Sequence, residues 1–218
     1  MTRAATWSSS FFRALYPSRC ALCARLADAP ICAICGEEFV PRDAEVHGID
    51  SRIYPSRIYS IFPYEGRPAQ AVQRLKYHRS TSLAEPMSHH LREALERMAP
   101  TRFDGIVPVP ISPLRRRERG FNQCDLLCEG MDGRIMRPEW LRRVKNTRPQ
   151  ASLSVEERHR NLRDAFRCEF DLQGKSVLLI DDVATTGATL RACAAALYEA
   201  GVATLWALTY CGGPRIGR

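Results

Sequence analysis

Between Val177 and Leu190 the chain reads V-L-L-I-D-D-V-A-T-T-G-A-T-L, an apolar run, two adjacent carboxylates, then threonines around a glycine. Val177 to Ile180 has the pattern of a strand buried on both faces. In an open parallel sheet, ligands gather beyond the carboxyl ends of the strands, and Asp181, Asp182, Val183, Ala184, Thr185, Thr186, Gly187, Ala188 and Thr189 fall there. Amides at the start of a following helix point outward unpaired, and with the helix dipole they favour a phosphate. Thr185, Thr186 and Thr189 add hydroxyl donors, and Gly187 lets the backbone come close. Two consecutive carboxylates at a strand end cost free energy unless something cationic or hydroxylic meets them; a ribose diol with Mg²⁺ nearby does so. The chemistry is that of a sugar-phosphate site. A helix cap alone would explain one of these residues and leave the second carboxylate without a cause. A nucleoside-triphosphate loop is a worse fit, because G-x-x-x-x-G-K-[ST] is absent and no lysine follows Gly187.

A second chemistry lies in Cys20, Cys23, Cys32 and Cys35, two C-x-x-C pairs that suit a tetrahedral Zn²⁺ with four thiolates. Four unrelated buried thiols would be the plainer account, but would not produce the pairing. A module this small has no core of its own, so metal binding would largely be its folding energy. With sulfur at all four positions no water can be activated, which makes the role structural. Cys124 and Cys128, one helical turn apart, read as apolar packing. The five histidines show no ligand spacing.

Net charge is +8 and the isoelectric point about 9.2, which attracts polyanions and phosphates but says nothing of fold. Only Lys76, Lys145 and Lys175 among the 32 basic residues are lysines, a bias that GC-rich coding could also produce. Arg115, Arg116, Arg117 and Arg119 cluster just past an apolar run ending at Ile111, and Arg134 to Arg167 holds ten Arg/Lys against four Asp/Glu. Both segments are candidates for pyrophosphate or nucleic-acid contacts, or are simply a solvated basic face.

The elements that must position these residues follow from patterning. Arg57 to Tyr64 is a strand, Pro68 to Tyr77 a helix, Pro86 to Met98 another, and Ile106 to Ile111 an apolar run whose prolines argue against a central strand. A short strand near Trp140 to Val144, a helix near Val155 to Leu162 and a strand at Ala165 to Phe170 follow. Leu190 to Tyr198 is helical, Gly201 stops it, and Val202 to Tyr210 returns as a strand. The sum is an α/β fold, a mostly parallel sheet with helices on both faces, preceded by a small cysteine module. We set the module at residues 15–50 and the α/β domain at 57–218, with Pro41 to Pro55 as connector. Met1 to Pro17 lacks the uninterrupted apolar core of a signal peptide, and nothing later approaches a membrane span, so the expectation is a cytoplasmic chain, not itself a membrane protein.

V-L-L-I-D-D-V-A-T-T-G-A-T-L resembles the phosphoribosyl-diphosphate (PRPP) loop of type I phosphoribosyltransferases. That resemblance implies that Asp181 and Asp182 hold the ribose hydroxyls and that Ala184 to Thr189 hold the 5′-phosphate. V-P-V-P-I-S-P-L-R-R-R-E-R-G-F-N-Q (Val107 to Gln123), L-K-Y (Leu75 to Tyr77), the spaced Gln150, Arg160, Asn161 and Phe166, and the paired cysteines are together similar to the ComF family. The match covers nearly the whole chain and ranks Arg119, Asn122 and Gln123 above their neighbours, with Lys76 a further candidate for pyrophosphate or nucleic-acid contact.

Membership would imply a part in natural transformation, with single-stranded DNA as partner beside PRPP and Mg²⁺, and competence-machinery proteins at the inner membrane as further partners. Two other readings stay open. One is a phosphoribosyltransferase of nucleotide metabolism, with Asp181 and Asp182 catalytic and the acceptor unidentified; the other is a non-catalytic PRPP sensor that binds DNA or a protein partner.

Overall fold

The structure, a computed structural model, describes residues 18–42, 44–47, 53–98, 102–145, 162 and 164–213, the first of these stretches holding the short helix α1 (Ala33–Gly36). Its main sheet has the order β1 (Ala44–His47), β2 (Arg57–Pro63), β7 (Thr204–Gly212), β6 (Ser176–Ala184), β3 (Gly105–Pro108), parallel throughout except for β1. Strand β6 lies between β7 and β3, and its alternating side chains serve two cores. Leu178 and Ile180 join Val72, Leu75, Met87 and Leu91 from α2 (Gly66–Tyr77) and α3 (Ala84–Arg97). Val177 and Leu179 join Leu190, Ala194 and Leu197 from α6 (Ala188–Glu199). This is why the run is apolar at every position, and it gives the mostly parallel, doubly covered sheet that the sequence implied.

The proline-containing run is strand only over Gly105–Pro108, at the sheet's edge, where the missing N–H of proline costs no ladder. Outside it the chain makes only an isolated bridge, Ile106 to Met136. Gly105 is required by contact: a Cβ there would stand 2.3 Å from the ring of Trp140, itself buried. Gly105→Ala must push Trp140 out of its seat, and we expect it to cost about 1–3 kcal/mol of stability, as overpacking does. Urea midpoints would check this; an unchanged midpoint would show that Trp140 yields freely.

Three stretches depart from the sequence reading. The stretch read as a connector supplies edge strand β1, antiparallel to β2. Around the arginine cluster the chain forms α4 (Pro113–Arg119) and α5 (Gln123–Leu127), neither of which was anticipated. Helix α4 buries no residue, so it carries no apolar period, yet its caps are plain: Ser112 accepts from the Arg115 amide, Pro113 opens the first turn, and Gly120 closes it at φ +88°. The strands expected near Trp140 and Ala165 shrink to a two-stranded ribbon, β4 (Arg142–Arg143) with β5 (Phe166–Arg167). The helix expected near Val155 to Leu162, with Gln150, Arg160 and Asn161, lies outside the described residues apart from Leu162, which is buried.

Candidate functional site

Strand β6 delivers Asp181 and Asp182 to its carboxyl end, where alternation sends one to each face of the sheet. Both are buried, at 5% and 3% exposure. Asp182 is neutralised by Lys76, whose ammonium lies 2.8 Å from Oδ2 and whose stem comes from the last turn of α2. Burial works against the charge on Lys76, but the carboxylate outweighs it and holds the ammonium above the ordinary lysine range. Among the described residues Asp181 has no such partner. Its Oδ1 accepts from the Asp182 amide at 2.9 Å and from the Cys124 thiol at 3.5 Å. Burial first, then the charge of Asp182, pushes its pKa up to about 7 against those bonds and Lys76. Cys124 is therefore more than packing. Burial and the two carboxylates push its thiol well up, so it keeps the proton it donates to Asp181.

The turn whose sequence reads as a phosphate loop follows directly. Gly187 takes φ +73° at the cap of α6, a conformation that L side chains rarely adopt, and the helix starts at Ala188. Thr186 Oγ1 accepts from the Ala188 amide at 3.4 Å. The Arg191 amide reaches the Gly187 carbonyl at 2.8 Å, which closes the first turn. Behind the loop, Gly213 donates to the Ala184 carbonyl at 2.7 Å and packs so closely that a Cβ there would meet Thr185 at 3.2 Å. Ala184 to Thr189 thus form one backed turn of amides and hydroxyls at the strand end where the sequence placed it.

The basic residues separate into two groups. Arg119 is half-buried, donates to the Gln123 side chain, and stands with its guanidinium 5.7 Å from the ring centre of Tyr77. Burial pulls its pKa down while Asp182 and Tyr77 resist, so it shares the field of the acidic pair. Arg115, Arg116 and Arg117 ride on α4, with Arg116 bridging Asp125 at 3.3 Å. Asn122 and Gln123 are buried. Asn122 caps α5, accepting from the Cys124 amide and donating to the Val109 carbonyl and to Asp125, so it holds the loop in place. A cavity of about 480 Å³ opens at the end of β3 between Pro108, Pro110, Arg116, Asn122, Arg142 and Arg143. Sequence reasoning gave no sign of this cavity, since its walls come from four separate segments.

The four cysteines converge. All four sulfurs lie within 4.8 Å of one another, and Cys23 and Cys32 are 3.6 Å apart. Tetrahedral Zn–S bonds of about 2.3 Å would set the sulfurs roughly 3.8 Å apart, so the donor set fits that ion. Cys20 accepts from the Leu22 and Cys32 amides, each at 3.4 Å. Burial pushes its thiol up, but these amides outweigh that and lower it to about 6. Burial and the neighbouring sulfurs raise Cys35 to about 12. Such amide-to-sulfur bonds are the outer support of a metal knuckle. The cluster leans on the sheet through Phe39, whose ring meets Phe62 at 5.6 Å and His90 at 5.6 Å, while His90 bonds the Tyr210 hydroxyl at 3.0 Å.

Among the described residues no helix is long and apolar enough to cross a membrane. Residues 142–215 match the phosphoribosyl transferase domain family, a span that includes β6, the phosphate loop, α6 and β7. DNA utilization protein YhgH of Escherichia coli O157:H7 is 31% identical over 205 residues, 87% of this chain and 88% of that protein. Competence protein ComFC of Bacillus subtilis (strain 168) is 29% identical over 189 residues, 79% of this chain and 73% of its own. Competence protein F of Haemophilus influenzae is 36% identical over 105 residues, 45% and 46% of the two. With a relative of that similarity spanning most of both sequences, and the phosphoribosyl transferase match over the loop itself, the chain belongs to the ComF family of phosphoribosyltransferase-like proteins.

Proposed function

We propose that the chain binds PRPP with Mg²⁺ and serves DNA uptake in natural transformation, handling single-stranded DNA in the cytoplasm. The observation that carries the reading is the paired Asp181 and Asp182 at the end of β6, directly ahead of the turn of amides opening α6. The carboxylates orient the ribose diol, and the Ala184 to Thr189 turn holds the 5′-phosphate. Lys76, paired with Asp182, and Arg119, within its field, are the cations assigned to the pyrophosphate in this reading. Mg²⁺ arriving with the pyrophosphate would neutralise its charge, consistent with an ion that binds through substrate phosphates rather than a dedicated protein cage. The names of the relatives, competence and DNA utilization proteins, support the DNA side, as do the arginines of α4 beside the site.

Calorimetric titration with PRPP and Mg²⁺ tests the ligand. Wild type should bind, and Asp181→Asn/Asp182→Asn should lose about 100-fold or more in affinity, as when charged partners of a buried polar ligand are removed. Identical isotherms would remove the central claim. Pyrophosphate release in the same samples separates turnover from binding, and filter binding of single-stranded DNA across salt concentrations tests the partner, with no retention at low salt counting against it.

A further inference from the structure

Tyr77 is the last residue of α2 and directly follows the Lys76 that pairs with Asp182. Its ring is 68% exposed, although aromatic side chains ordinarily find cover. It is held in place nonetheless. The Arg119 guanidinium stands 5.7 Å from the ring centre and is anchored in turn by Gln123. Two residues on, just past the helix, Arg79 donates to the Glu118 carbonyl at 2.9 Å and ties the end of α2 to α4. Two elements therefore fix a flat π-face with a cation beside it, one residue from the buried carboxylates, and leave the ring open to solvent. Proteins that bind single strands without sequence preference stack bases on such aromatic faces, with arginine assisting.

We propose that Tyr77, flanked by Arg119, is a nucleobase-stacking platform at the mouth of the PRPP site. The inference rests on the function proposed above and adds the group that meets the base. That base comes from a DNA strand or is a free nucleobase standing as acceptor; the stacking chemistry is the same.

The test compares wild type, Tyr77→Ala and Tyr77→Trp on a dT oligonucleotide and on an abasic oligonucleotide of equal length. A platform predicts that Tyr77→Ala weakens the dT oligonucleotide about 5- to 150-fold, leaves the abasic one and the salt slope unchanged, and that Tyr77→Trp binds as wild type. Equal weakening on both oligonucleotides, or none on either, overturns the strand as its source. In a second arm, labelled adenine and uracil are dialysed against the three proteins with PRPP present; retention by wild type that Tyr77→Ala loses supports the platform for a free base. If wild type binds neither oligonucleotide, the DNA reading fails on its own, and the free-base arm decides: retention unaffected by Tyr77→Ala, or no retention, overturns the platform. The ring is exposed, so the variants should fold as wild type, and their PRPP titrations confirm that the sugar-phosphate site is intact.

Discussion

Lys76→Met should destabilise the ligand-free protein by about 3–5 kcal/mol at pH 8, because it leaves Asp182 buried without its cation. The loss should be smaller at pH 5. In wild type the Asp181 carboxyl is already raised from its ordinary 3.8 to about 7 by burial and by Asp182. A carboxyl that holds its proton more tightly in the folded chain favours folding at low pH. Its contribution is present below about pH 4 and is lost as pH rises to about 7. Without Lys76 the Asp181 carboxyl loses that cation's downward pull, so the folded state takes up its proton more avidly still and the variant's pH dependence steepens. Thermal melts at pH 5 and pH 8 decide the matter. An equal loss at both would mean that the lysine stem, and not its charge, was what mattered. Asp181→Asn should behave oppositely, raising stability at pH 8, because it removes a carboxylate whose charge burial and Asp182 disfavour.

Removal of metal should have an effect of similar size at the other end of the chain. Four thiols within 4.8 Å of one another cannot all ionise without a cation, and burial with the neighbouring sulfurs pushes Cys35 up to about 12. Cys35→Ser, or exhaustive chelation, should lower the melting temperature by about 10 °C, given that 1 kcal/mol moves a chain of this length by about 2–4 °C. Residues 18–42 should become the first site of proteolysis. Zinc content by elemental analysis and limited trypsin digestion would check both. A metal-free protein that melts like wild type would show that contacts with the sheet, such as Phe39 on Phe62, suffice without the ion.

Much of this site could be read from the chain because its signals are local. The Val177 to Leu190 segment carries strand, carboxylates, turn and helix in one stretch, and the cysteine pairs each bite from one tight turn. Lys76 stood out through its family motif, but its pairing with Asp182 joins α2 to β6 across more than a hundred residues, and no spacing announces that. Cys124 read as packing since its position shows an apolar neighbourhood and not the carboxylate it faces. Helix α4 was missed for the opposite reason: with no buried face it has no period, and only its cap residues declare it. His90 received no role because the sequence shows it among ordinary helix residues. The structure wedges it between Phe39, Phe62 and Tyr210.

That wedge makes a continuous line of contact. Phe39 belongs to the cysteine end, Tyr210 to β7, and β7 runs on to Gly213, pressed against Thr185. A change in sulfur coordination thus has a packed route to the turn that opens α6. Thermodynamic linkage is reciprocal, so a route that let metal occupancy alter ligand affinity would let ligand steady the metal by the same factor. The cell's metal supply would then become an input to a site that contains none of the metal's own ligands.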